Sequence, residues 1–344
     1  MLFNIETDGG DRIVGYVVPD NFTASPRLRV MEAGVALAMI DCHEPRAALV
    51  AAGRHATGLC GFTLDSRTIP NLAARQALEI YDEESGLLIY RRKSPGEALR
   101  KKIFRCETHL FPLWSLDGAA EHRFQFFHKG VERYGKETAT QIFMLEHSQS
   151  MYVSGRLHYR LFEGYLQDVF DCVIVFHDPY IELAERLLTL KVIPNFGDDL
   201  LGARDTLAYA PAIAFAQTLR HDEKTLRKAF AAMPRAAIPL LADPLTRQFS
   251  VHSLTDPTPK GAVANTLRAL SHFKIVGARD RQDLFLEEFE RLMTAPPESL
   301  PTPGTLGSVQ AFADLLRAIP EVSLLLEKDL EVHHTVLSIL DNVQ

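Results

Sequence analysis

The sequence predicts two domains: a small all-β sandwich up to about Arg92, then a larger α/β domain with a mainly parallel sheet. Three observations predict this. Before Arg92, short β-branched and aromatic runs alternate with turns rich in Gly, Asn and Asp. After Leu99, helical periodicities alternate with short, bounded apolar runs, the pattern of strands covered by helices. The length of 344 residues suits two domains, and 47% hydrophobic against 24% charged residues is enough to fill a sizeable core.

In the first domain, Arg12-Ile-Val-Gly-Tyr-Val-Val18 reads as a strand stopped by Pro19-Asp20-Asn21. Leu28–Val30 and Val35–Leu37 flank a hairpin interruption at Glu32-Ala33-Gly34. Gly58–Leu64 is a further strand, and only Glu44–Ala52 suggests a helical turn or two. Leu78–Tyr81 and Leu87–Tyr90 embrace Asp82-Glu83-Glu84-Ser85-Gly86, a hairpin in which glycine supplies the positive-φ position. The expected division is an accessory module at 1–92, a linker at 93–102 around Ser94-Pro95-Gly96, and the α/β domain at 103–344.

In the second domain, Phe126-Phe-His-Lys-Gly130 reads as a strand entering a loop, and Gln141–Leu145 and Ser150–Val153 as strands. Asp171–Phe176 has the apolar text of a buried parallel strand. Asp178 is a good N-cap and Pro179 a good first residue for a helix over Tyr180–Lys191. Helices are predicted at Arg204–Leu219, Asp222–Met233, Gly261–Phe273, Asp280–Met293, Ser308–Ile319 and Glu327–Leu340, with a short strand at Phe273–Val276. Ala295–Gly304 is a proline-rich surface loop.

A net charge of −7 argues against a nucleic-acid backbone or an anionic membrane as partner. The basic runs Arg91-Arg92-Lys93 and Arg100-Lys101-Lys102 read as solvated surface. The first residues have neither a basic nor an apolar signal region, and the most apolar stretch, Thr206–Leu219, is too short to span a bilayer. Cys42, Cys60, Cys106 and Cys172 lack CxxC spacing, and three of them sit beside apolar residues and read as buried thiols, so a cytoplasmic setting is expected. The adjacent His333 and His334 diverge on a helix, so no metal is expected there.

The most informative chemistry lies at Phe176-His177-Asp178-Pro179. A parallel strand running into a helix N-terminus favours an anion, with His177 and Asp178 beside it. Ser154-Gly155-Arg156-Leu157-His158-Tyr159 offers Arg156 and His158 to an anionic or sugar ligand, and His128 and Lys129 stand before Gly130. His128 and His158 are the candidate catalytic residues; Lys129, Arg156, His177 and Asp178 are the candidate donor or anion ligands. No GxSxG, HExxH, P-loop, GxGxxG or DxD motif is present.

In order, these pieces resemble the carbohydrate sulfotransferase family. Ser154–Tyr159 looks like its Ser-Gly step. Val173-Ile-Val-Phe-His177-Asp178-Pro179 looks like its strand ending in Arg-(Asp/Glu)-Pro. Asp243-Pro-Leu-Thr246-Arg247-Gln-Phe249 is similar to its Asn-x-x-Thr-Arg element. Phe273–Arg281 looks like its hydrophobic-Val-Gly step, and Leu326–Val332 like its last helix. The resemblance covers roughly residues 120–340. It implies a P-loop-like three-layer fold, phosphoadenosine phosphosulfate as donor, and a glycan or polysaccharide precursor as acceptor. Departures are equally plain: the glycine-rich donor loop is missing, His177 replaces the phosphate-binding arginine, and Glu185 replaces a serine. The first domain is similar to a β-sandwich module of bacterial surface-polysaccharide biosynthesis proteins, through Gly15-Tyr16 and Gly61-Phe62. Two functions are therefore expected as alternatives: a glycan-acting transferase, or a non-catalytic glycan-binding or assembly protein that keeps the fold without the donor site.

Overall fold

The structure, a computed structural model, describes residues 1–21, 23–92, 98–145, 148–195 and 201–342. The chain divides into two compact units. One comprises Met1–Lys102, Ala120–His128 and Tyr134–Val153; the other comprises Ile103–Ala119, Lys129–Arg133 and Ser154–Gln344. Of the expected 93–102 linker, residues 93–97 lie outside the described residues.

Among the described residues, the stretch 1–92 contains eight strands: β1 (Leu2–Asp8), β2 (Ile13–Val18), β3 (Arg27–Glu32), β4 (Val35–Asp41), β5 (Glu44–Pro45), β6 (Leu59–Leu64), β7 (Leu78–Asp82) and β8 (Leu88–Arg91). They form two antiparallel four-stranded sheets, β1-β2-β6-β5 and β4-β3-β7-β8, a sandwich-like pair. Alternation explains the faces: Leu28 and Val30 of β3 and Leu78 and Ile80 of β7 are buried. The β3–β4 turn has Ala33 and Gly34 both at positive φ, the geometry whose twist matches two-residue hairpins.

The Gly-Tyr and Gly-Phe pattern has a packing cause. Gly15 lies opposite Phe62 in the β2–β6 ladder, and a Cβ there would come within 2.6 Å of the Asn4 carbonyl and 2.9 Å of the Phe62 ring. A Cβ on Gly61 would meet the Arg46 guanidinium at 2.3 Å. Both glycines admit a close neighbour across the sheet.

Several expectations are corrected. Within the predicted turn at Glu44–Ala52, Glu44–Pro45 pair as β5, and only Ala47–Ala51 is helical. Arg91 and Arg92 are not solvated: Arg91 donates to Glu79 and to the Glu121 carbonyl, and Arg92 makes a two-pronged bond to Asp8. Gln141–Leu145 is not a strand. It ends the helix Lys136–Phe143, whose buried Thr138, Ala139, Ile142 and Phe143 follow helical spacing.

Five further strands build the α/β sheet: β9 (Lys102–Cys106), β10 (Phe126–Lys129), β11 (Met151–Gly155), β12 (Asp171–Phe176) and β13 (Ile275–Ala278), in the order β10-β11-β9-β12-β13. β12 pairs in parallel with β9 on one side and β13 on the other, as its apolar text predicts. The helix Pro179–Val192 follows β12. Asp178 accepts hydrogen bonds from the Tyr180 and Ile181 amides, and Pro179 opens the helix. Ile181, Leu183, Leu187 and Leu190 sink its apolar side into a core with Phe215, Leu226, Phe230 and Phe312.

The predicted Arg204–Leu219 helix is two helices, Ala203–Ala208 and Ala210–Thr218. Pro211 lacks an amide hydrogen and sits in the first turn of the second. Asp222 caps the helix Glu223–Ala231 through the Thr225 amide. The remaining predicted helices are present at Ala262–Leu270, Gln282–Leu292, Gly307–Arg317 and Glu327–Asp341. All four cysteines are free and buried, and no helix among the described residues is long and apolar enough to cross a membrane.

Candidate functional site

Because β9, β12 and β13 run parallel, the residues after them converge on one edge of the sheet: Glu107 after Cys106, His177 after Phe176, and Arg279 after Ala278. The carboxyl edge of such a sheet is where α/β proteins place ligands.

The loop after β9 is wrapped around its own side chain. Glu107 Oε1 accepts from the Thr108 amide (3.0 Å), the His109 amide (3.1 Å) and His109 Nδ1 (2.8 Å). Its Oε2 accepts from the Leu113 amide (2.8 Å) and Arg105 Nη1 (2.8 Å). Amides converging on one negative group form an anion nest, and here the anion is internal. Burial alone pushes the Glu107 carboxyl up, but Arg105 and His109 more than reverse this and hold it well below the usual carboxylate range. Arg105 is itself fixed by a bidentate bond to Asp117, at 2.8 and 2.9 Å. Gln248 anchors the start of the loop by donating to the Glu107 carbonyl (2.8 Å).

The facing wall is the first two turns of the helix Pro179–Val192. Glu182 Oε1 accepts from Arg186 (3.0 Å), which also donates to the Thr108 carbonyl (3.0 Å). His109 Nε2 lies 3.7 Å from Glu182 Oε2, and neither atom has a hydrogen-bond partner. Burial disfavours a charge on His109, but Glu182, Glu107 and Glu185 outweigh it and raise its pKa. Burial pushes Glu185 up to about 7, Glu182 adding to the rise and His109 opposing it. A cavity of about 10 Å³, lined by Thr108, His177, Glu182 and Asp329 among others, has room for about one water.

The two aspartates below this cavity cap each other's helices. Asp243 accepts from the Lys328 and Asp329 amides, and Asp329 accepts from the Leu245 and Thr246 amides. Burial, then repulsion from Asp243, pushes Asp329 up to about 7.

The residues expected from sequence are dispersed. His177 and Asp178 lie at the carboxyl edge. His177 Nδ1 accepts from the Asp178 amide (3.1 Å), so its Nε2 carries the hydrogen and donates to Thr305 (2.9 Å). Burial, then Arg279, lowers its pKa to about 3. Asp178 caps its helix and accepts from Arg317 (2.9 Å). Arg156, just past β11, is committed to Asp205 (2.6 Å) and the His109 carbonyl (3.4 Å). His158 has an unpartnered Nδ1 and a pKa lowered to about 4 by burial, then Arg247. Lys129 is exposed. His128 belongs to the first compact unit and is buried, with its pKa lowered to about 3 by burial and then Arg91.

Sequence reasoning missed Arg105, Glu107, His109, Glu182 and Arg186. The apolar Ile103-Phe104 before Cys106 was the available signal for β9. The charges at Glu182, Glu185 and Arg186 sit among Ile181, Leu183 and Leu187, whose apolar register by itself points only to a core helix. Among the described residues no cluster of His, Cys, Asp and Glu has the geometry to hold a metal ion. No family model matches the chain, and no curated protein matches it.

Proposed function

We propose that this chain is a sulfotransferase-like, cytoplasmic protein of bacterial surface-polysaccharide biosynthesis that binds a glycan without using a phosphosulfate donor. The observation that carries the reading is Glu107. The loop after β9, at the edge where a donor anion would sit, already satisfies its amides with its own carboxylate. A phosphate entering there meets a fixed negative charge, and even at an effective dielectric of 20 a contact near 4 Å opposes it by about 4 kcal/mol. Of the groups expected to hold the donor, Arg156 is engaged by Asp205, and His177 is neutral. The order of elements around β12 and the glycine pattern of β2 and β6 support the glycan assignment.

A catalytic version of the reading is favoured by one feature, the unpartnered His109 Nε2 opposite Glu182, a pair suited to moving a proton. The test joins two assays. Labelled protein on an array of bacterial surface-polysaccharide fragments is expected to bind at least one. Transfer of labelled sulfate from phosphoadenosine phosphosulfate to that glycan is expected to be absent. Transfer above background, or no glycan bound, overturns the proposal.

A further inference from the structure

β4 is the outermost strand of its sheet, paired with β3 alone. Among the described residues it is the only strand longer than two residues in which no side chain is buried. Val35-Ala-Leu-Ala-Met-Ile40 is an unbroken apolar run without the lysine, proline or inward charge that usually closes an edge. Val35 is 63% exposed and Met39 47%. Ala38 and Ile40 stand opposite Val30 and Leu28, which are fully buried, yet are themselves only half-buried. The core side of the sheet therefore runs out to solvent at β4. The backbone is open as well. The Cys42 amide donates to the Pro26 carbonyl (2.9 Å) at the end of the β3–β4 ladder. Because the ladder alternates, Ile40 turns its polar groups to β3 and Met39 turns its N–H and C=O outward.

From β4 the chain passes through Cys42-His43 into β5, the outer strand of the other sheet, so the two edges share one margin of the sandwich. There the apolar helix Ala47–Ala51 has no buried residue, and Val50 and Leu59 are exposed. Nearby charges are compensated within the chain: Asp41 by Arg27 (2.7 Å) and Arg46 by Glu6 (3.0 Å). In a chain of net charge −7, this margin meets its own copy without like charges facing each other.

We infer that this margin is a self-association surface, on which β4 of a second copy adds antiparallel to β4 and joins two four-stranded sheets into one of eight. A second copy is the occupant because an antiparallel edge is its own complement about a two-fold axis. That axis keeps the core side of one sheet continuous with the core side of the other. Ala38 and Ile40 of both copies then cover one another, and the outward N–H and C=O of Met39 gain partners. The uncharged run brings no like charges opposite each other across the axis. The margin offers fewer than the roughly 20–30 residues a side of a standard interface, so a Kd of about 10–100 µM is expected. This inference does not depend on the glycan reading.

Sedimentation velocity of the full chain, from about 1 to 200 µM, tests it around that Kd. A shift from monomer to dimer and no further is expected. Amide hydrogen exchange of the wild type is expected to show the Met39 amide protected at the high concentration and open at the low one. Val35→Lys/Met39→Lys, at two exposed positions, sets like charges across the axis and is expected to weaken the dimer at least tenfold while leaving the melting temperature of the dilute protein unchanged. A monomer at the highest concentration, assembly beyond a dimer, a dimer that the lysine pair leaves intact, or an unprotected Met39 amide within the dimer overturns the inference.

Discussion

Replacing Glu107 by alanine removes the group on which the loop after β9 is built. Five donors lose their acceptor at once: the Thr108, His109 and Leu113 amides, His109 Nδ1 and Arg105 Nη1. Each bond to a charged group is worth about 1.5–3 kcal/mol singly, but they share one carboxylate and do not add. Arg105 keeps Asp117, which limits the loss. Breaking a buried pair by removing one partner costs about 3–5 kcal/mol, so about 4 kcal/mol is expected. The chain's sole tryptophan, Trp114, begins the helix Trp114–Gly118 directly after the loop, so urea denaturation followed by its fluorescence reports on this region. The emptied nest is then open to an outside anion. If sulfate binds it with a Kd of about 5 mM, 50 mM sulfate restores about 1.4 kcal/mol to the variant by mass action. Sulfate's general salting effect acts on both proteins, so the comparison is with wild type under the same salt. A loss under about 1 kcal/mol, or equal sulfate stabilisation of wild type and variant, would refute the internal-anion reasoning.

Two further outcomes follow from the geometry. Gly15→Val forces a side chain against the Asn4 carbonyl and the Phe62 ring, so it should destabilise the chain by about 1–3 kcal/mol or more in thermal melts; an unchanged melting temperature contradicts the close packing. Asp329 has a folded pKa raised to about 7, so the native state binds the extra proton between about pH 4 and 7 and stability from this group is lost as pH rises through that window. The stability advantage of wild type over Asp329→Asn should therefore be larger at pH 5 than at pH 8 in urea titrations; a gap that widens at pH 8 has the wrong sign.

What was legible in the sequence had local causes. The turn after β12 announces itself because a cap, a first-turn proline and an apolar helix register stand within a few residues of one another. The β3–β4 hairpin was legible for the same reason. The carboxyl-edge site was not, because its decisive contacts join residues whose roles depend on the fold. Glu107 looks like any loop glutamate until β9 is recognised, and Lys101-Lys102 disguised the start of that strand as linker. Arg92 looked solvated because its partner, Asp8, lies far away in sequence. Gln141–Leu145 is apolar enough for either element, and only the buried Thr138 and Ala139 upstream decide for helix.

The central claim is that the chain's own carboxylate holds the anion position at the edge of the sheet. A calorimetric titration of adenosine 3′,5′-bisphosphate into the wild-type protein at neutral pH and low salt tests it most directly. No saturable heat is predicted up to about 1 mM nucleotide, an affinity weaker than about −4 kcal/mol. Saturation at micromolar nucleotide, with unit stoichiometry, would contradict it.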